Sequence, residues 1–319
     1  MSKLTLALAL VVTIVGVCPS ARAQRPTSAT ERGLVGSWIL VKAERVDGAT
    51  PVPLPNPRGL IVFDSAGHVL EIVTQGGRQT YAVTNRPTPE EALAAFNTFQ
   101  GFWGTYRQDE KTGAITYHPE GAVNPSLMGL DLVRRYELKG DRLVITSQPG
   151  ESNVQGTRRW TWERVLPIEN LPPAYRKFIG FWQVVGDKIV STATGETLID
   201  EPRDPSTIVY APSGFIGVLF SPPNRKRLSG AMATPEEAKA DIAGYVGYIA
   251  VLSVHPPSTA FHHQIVTIAP GGADSLERVY ELVGNEIHLN FLPVVVIGRE
   301  QQTRVTLRRL TGEAEMLGK

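Results

Sequence analysis

The sequence predicts an all-β protein: two tandem antiparallel copies of about eight strands each, a sandwich or a barrel, every copy carrying one short helix. Three observations predict it. Apolar and polar residues alternate with period two, as in Leu143, Ile145 and Ser147 against Arg142, Val144 and Thr146, the pattern of a half-buried strand. Turn signals separate such runs: Ser65-Ala66-Gly67, Gly76-Gly77, Lys111-Thr112-Gly113, Lys139-Gly140-Asp141 and Gly284-Asn285. Finally, five motifs return in the same order at offsets between 144 and 147 residues. That period is too long for a solenoid unit and suits a whole domain.

Residues 1–23 read as a secretory signal. Lys3 gives the positive start, an apolar run extends to Val17, and Ala21-Arg22-Ala23 is a small-x-small cleavage site. The run is too short for a comfortable membrane span, and Val17 before Cys18 does not suit a lipoprotein site. An uncleaved anchor is the alternative. Cleavage after Ala23 predicts a secreted or periplasmic protein with no transmembrane segment. It removes Cys18, the one cysteine of the 319 residues, and with it any disulfide, thiol nucleophile or thiolate metal site. It also removes Lys3 and Arg22 from a chain with 32 basic and 31 acidic residues, which turns the formal charge from +1 to −1. So even a balance gives no field for nucleic acid or an anionic membrane, and no nucleic-acid partner is expected.

The first copy spans residues 33–165. Its opening strand carries Gly36-Ser37-Trp38, matched later by Gly180-Phe181-Trp182. Phe63-Asp64-Ser65-Ala66-Gly67 marks a hairpin, matched by Tyr210-Ala211-Pro212-Ser213-Gly214. Thr88-Pro89-Glu90-Glu91-Ala92 starts the helix and recurs unchanged as Thr234-Pro235-Glu236-Glu237-Ala238. Thr88 suits the N-cap, Pro89 the first turn, and Glu91 completes a capping box. Leu93, Phe96 and Asn97 form the expected inward face, and such a helix is expected to close one barrel end as a lid. Arg134-Arg135-Tyr136-Glu137-Leu138 is matched by Arg278-Val279-Tyr280-Glu281-Leu282. The closing strand Arg159-Trp160-Thr161-Trp162-Glu163-Arg164-Val165 is matched by Arg304-Val305-Thr306-Leu307-Arg308-Arg309-Leu310. Residues 166–175, with Pro167, Pro172 and Pro173, form a stiff linker. The second copy then spans 176–310.

These residues carry a resemblance. Leu34-Val35-Gly36-Ser37-Trp38, Asn56-Pro57-Arg58-Gly59, the hairpin through His68, the Thr88 helix start, His118 followed by Asn124-Pro125, Val133 to Leu138, and Trp162-Glu163-Arg164-Val165 together resemble the bacterial lipocalin-like domain family. The resemblance covers residues 33–165 and extends more weakly to 176–310. It implies calycin-type barrels with a central cavity, and either a carrier of apolar molecules or a cyclase or isomerase. The chain departs from the family pattern at Leu132, where a Gln is common. In the second copy Ala211 replaces Asp64, Leu307 replaces Trp162, and Ile268-Ala269-Pro270 stands near the missing Asn-Pro pair. The first copy is therefore the expected working site.

Strand parity nominates the chemistry. Leu138 facing inward takes Arg134 and Tyr136 with it, and Leu282 takes Arg278 and Tyr280. An Arg and a Tyr on a cavity face can orient a carboxylate, enolate or phenolate. The alternative is an Arg paired with a core carboxylate, with the Tyr as packing. His118 and His262 align through Tyr117-His118 and Phe261-His262 and are acid–base candidates. If Tyr117 and Phe261 own the inward face, both histidines turn outward. Trp103, Tyr106 and Asn124 complete the expected ligand-binding set. His68 and the run Arg225-Lys226-Arg227 are expected at the surface. No zincin helix, calcium loop, P-loop or dinucleotide turn occurs, so no metal and no cofactor is expected.

The leading expectation is an exported, non-catalytic binder of a small apolar or amphipathic molecule. The alternative is a cofactor-free isomerase or cyclase using His118, Tyr106 or Tyr136 as acid or base and Arg134 against an oxyanion.

Overall fold

The computed structural model describes residues 33–83, 86–147, 156–200, 203–271 and 275–319, and the expected signal segment lies outside them. The first unit contains β1 (Gly36–Arg45), β2 (Val52–Pro53), β3 (Arg58–Phe63), β4 (His68–Thr74), helix α1 (Pro89–Thr98), β5 (Phe99–Asp109), β6 (Ala114–Ala122), β7 (Leu132–Lys139), β8 (Arg142–Thr146) and β9 (Arg158–Val165). Strands β1 and β3 to β9 pair in order, all antiparallel, and β1 pairs back to β9. That closes an eight-stranded barrel with no free edge.

After α2 (Pro173–Arg176) the second unit repeats the plan. It contains β10 (Gly180–Ser191), β11 (Thr197–Asp200), β12 (Thr207–Tyr210), β13 (Phe215–Phe220), helix α3 (Pro235–Ile242), β14 (Val246–His255), β15 (Thr259–Thr267), β16 (Ser275–Val283), β17 (Glu286–Phe291), β18 (Val294–Val296) and β19 (Arg299–Arg309), followed by α4 (Glu313–Met316). Strand β10 pairs with both β12 and β19 and closes the second barrel. The short strands β11 and β18 extend β10 and β19 beyond it. The all-β tandem of eight-stranded barrels expected from the sequence is what the chain forms.

The repeated motifs have a common physical task at the barrel base. Trp38 donates its indole N–H to the Leu34 carbonyl at 2.9 Å, and Arg164 lies 4.0 Å above the Trp38 ring. The same guanidinium donates to the carbonyls of Val35 and Gly33. In the second barrel Trp182 donates to Phe178, and Arg309 lies 4.0 Å above Trp182 while donating to Ile179 and Lys177. The entering chain is thus tied to the last strand by a buried ring and a shared cation. Gly180 begins its strand at φ +136°, where a Cβ would stand 1.8 Å from the Thr311 carbonyl, so the Gly-x-Trp motif needs its glycine.

Helix α1 is capped as expected: Glu91 N–H donates to the Thr88 hydroxyl, and Glu91 returns a carboxylate to the Thr88 N–H. Its buried residues are Ala92, Ala95 and Phe96, one position around from the expected Leu93-Phe96-Asn97 face. The reason is its neighbour. Instead of closing its own barrel, α1 packs on α3 of the other barrel.

The rest of the contact between the barrels obeys a pseudo-twofold. Arg78 donates to the carbonyls of Thr267 and Ile268 across the interface. Its counterpart Arg225 donates to those of Ala122 and Val123, the equivalents of Thr267 and Ile268. Arg225 is therefore anchored in the interface and not solvated as expected, because four repeat-equivalent carbonyls recruit two arginines, while Lys226 and Arg227 are exposed as expected. On the axis, β4 meets β13. Leu70 lies against its own equivalent, Gly217, where a Cβ would come within 2.5 Å of the Leu70 methyl. Apolar residues on the outer faces of β3 and β4, including Leu60, Val62 and Ile72, join one continuous core with the second barrel.

Candidate functional site

Strand register fixes which residues are equivalent inside the two barrels. Glu71 faces Ile61 and Phe102 across its sheet, and Val218 faces Ile208 and Tyr248, so Val218 stands where Glu71 does. Likewise Arg134 opposite Ile115 matches Arg278 opposite Ala260. Trp160 opposite Ile145 matches Val305 opposite Leu289.

The first barrel is filled. Arg134, 4% exposed, donates from one nitrogen to both oxygens of Glu71 at 2.8 Å. Its guanidinium lies 5.3, 5.2 and 4.9 Å from the ring centres of Phe102, Tyr117 and Trp160. A buried ion pair boxed by three aromatic rings is core structure, the alternative reading of the Arg on this face.

The other residues nominated from the sequence do not converge on one cavity, although Tyr106 and His118 both line an open pocket with Asp131. Tyr106 donates its hydroxyl to the Asp64 carbonyl at 2.9 Å, and burial raises its pKa. Tyr136 accepts from the Gln108 amide at 2.9 Å. Trp103 faces the second barrel and donates to the Pro205 carbonyl at 3.3 Å. Asn124 caps a short helical turn by accepting from the Ser126 N–H at 2.9 Å. His118 is half exposed on the outer face, with its Nδ1 3.1 Å from Asp131. The set proposed for an isomerase, His118, Tyr106, Tyr136 and Arg134, does not share one cavity.

His68 is half-buried and not the free surface residue expected. Its backbone N–H and ring both bond to buried Asp64, which also accepts from Thr311 of the second barrel, and its ring lies 5.6 Å from Phe181. The bond to Asp64 raises the His68 pKa, with burial opposing.

The second barrel is hollow. A cavity of about 180 Å³ is lined by Ile208, Val218, Phe220, Leu289 and Val305 on its apolar side and by Tyr248, His262 and Arg278 on its polar side. It exists because Val305 replaces the indole of Trp160. The sequence reading expected the working site in the first copy; this cavity lies in the second, and the first interior carries the larger side chains.

His262 is 1% exposed and sits between two phenols, with Nδ1 2.8 Å from the Tyr248 hydroxyl and Nε2 3.2 Å from that of Tyr210. Burial first, then the positive charge of Arg278, pushes its pKa down to about 3, so it is neutral near pH 7. Burial pushes Tyr248 up to about 12. Arg278, 7% exposed, donates to the Glu277 carbonyl at 2.7 Å and stacks 3.6 Å from the Phe291 ring centre. Tyr280, its neighbour by parity, is buried edge-on against Phe178 and away from the cavity lining. Asp187 and Arg203 pair with each other at the cavity rim.

His262 points inward while His118 points outward because the two are not equivalent. Tyr117 pairs with Leu132, and His262 pairs with Leu276, the counterpart of Leu132. The true match of His118 is His263, and a slip of one residue in a strand reverses every face. Tyr210 and Tyr248 were missed, and His262, an acid–base candidate, was matched to the wrong residue of the first copy. The signal was available: at the correct register Phe63, Phe102 and Tyr117 become Tyr210, Tyr248 and His262, a set of inward polar replacements.

The family model of the lipocalin-like domain matches residues 35–165. No curated protein matches the chain. Among solved structures, the DNA polymerase accessory subunit of Kaposi's sarcoma-associated herpesvirus aligns at 9% identity over 88% of this chain and 92% of that one, with a TM-score of 0.13, too low to carry any argument. The first barrel thus carries the lipocalin-like domain, and the second closed barrel of the same plan supports a tandem duplication of it.

Proposed function

We propose that the protein is an exported carrier that holds a small apolar or amphipathic molecule in its second barrel. A lipocalin-like barrel suggests ligand binding in general. The observation that carries the finer reading is the cavity of about 180 Å³ beneath Val305, lined by aliphatic and aromatic side chains with a few convergent polar groups. A space on this scale takes a body about the size of one six-membered ring. Export rests on the signal-like residues 1–23.

The test is to fill the space. Val305→Trp restores the side chain that the first barrel carries, so the variant is expected to fold and to lose ligand. Displacement of a fluorescent probe, read beside native mass spectrometry of the full chain, measures it. Unchanged binding in Val305→Trp removes the second barrel as the site.

A further inference from the structure

We propose that the second barrel takes its ligand as an anion: a small monocarboxylic acid with an apolar, ring-sized body, its carboxylate paired with Arg278. This rests on reading the cavity as the binding site. The argument is a comparison the protein makes with itself. In the first barrel the inward arginine, Arg134, is met by Glu71. In the second barrel the arginine is kept as Arg278, while the position of its carboxylate is Val218.

No carboxylate among the described residues pairs with Arg278, and the one nearby acid of the cavity lining, Asp187, is taken by Arg203. His262 is neutral, and the phenols of Tyr210 and Tyr248 stay protonated because burial raises both. On its polar side the cavity therefore holds one positive charge that no carboxylate among the described residues balances. A buried cation without a counter-charge costs several kcal/mol, which a bound anion would offset.

The other replacements point the same way. Where Phe63 and Phe102 stand in the first barrel, Tyr210 and Tyr248 add hydroxyls. Tyr248 lines the cavity and Tyr210 stands behind it on His262, so the loss of an internal carboxylate comes with a gain of hydrogen-bonding groups on that side. A carboxylate fits better than a single-oxygen phenolate, because guanidinium and carboxylate match as two parallel forks.

The experiment compares benzoate with benzyl alcohol, alike in size and different in charge, by isothermal titration calorimetry on the full chain. Benzoate is expected to bind more tightly by roughly ten- to a hundredfold. Arg278→Met is expected to abolish that preference and leave benzyl alcohol binding in place. Val218→Glu is expected to do the same by restoring the internal pair of the first barrel. It serves as the decisive variant if Arg278→Met does not fold, which circular dichroism reads. Equal affinity for the two probes in the unmodified protein overturns the proposal and leaves the carrier reading standing, as does a benzoate preference that survives Val218→Glu. Binding of neither probe overturns both.

Discussion

His262 and His68 give the molecule two histidines that titrate in opposite senses. His262 is held neutral down to about pH 3, while an unfolded histidine takes its proton near the ordinary value of 6.5. As pH falls through that window the unfolded chain binds a proton that the native chain refuses, so stability drops. His262→Phe is expected to flatten the fall in thermal midpoint between pH 7 and pH 5. His68 is the reverse case, because Asp64 raises its pKa. Its contribution is complete below 6.5 and is lost as pH climbs through the raised value, so His68→Gln is expected to lower the midpoint more at pH 5.5 than at pH 8.5. Circular dichroism melts of both variants check the two signs.

At the scale of elements, pairing and packing decide what parity alone left open. The run Arg134 to Leu138 was legible as a strand with Arg and Tyr inward, and so it is. Which reading of Arg134 holds depended on Glu71, which lies far away in sequence and becomes its partner only when the barrel closes. His118 and His262 show the same limit more sharply. Both neighbourhoods read as an aromatic followed by a histidine, and a one-residue ambiguity in the repeat decided which side chain entered the barrel. The substitution of Trp160 by Val305 stood in the matched motifs without any meaning attached to it; only the assembled interior shows that it opens a space. The contact of β4 with β13 makes its own prediction. Gly217→Val places branched methyls against Leu70 and is expected to cost about 1–3 kcal/mol by denaturant titration. Leu70→Ala in the same chain is expected to recover part of it, a coupling that a double-mutant cycle measures.

For the whole molecule, the two barrels share a continuous apolar core, so unfolding is expected to be one transition and not two. Removing the paired clamps tests this. Arg78→Ala with Arg225→Ala deletes both sets of bonds to the opposing carbonyls and the ion pair of Arg225 with Asp241. The calorimetric trace is expected to split toward separate barrel transitions; a single unshifted peak would show that the apolar contact alone couples the halves. The duplication and the barrel class were legible in the sequence because they rest on local alternation and on repeated motifs. The pseudo-twofold was not, because Arg78 and Arg225 differ in their sequence neighbours and reveal their equivalence only through the carbonyls they reach.

The meeting of Leu70 with Gly217 has a consequence for how such a molecule could have arisen. Two identical chains facing each other across that axis would bring like against like, leucine on leucine with no room, or glycine on glycine with a gap. Joining the copies in one polypeptide frees them from that symmetry. One copy can then keep a filled, ion-paired interior and serve as the rigid wall. The other can shed a tryptophan and a carboxylate, changes that in a symmetric pair would hollow both halves at once. A stable partner fixed permanently beside it is what lets the second barrel carry a hole and an unbalanced charge.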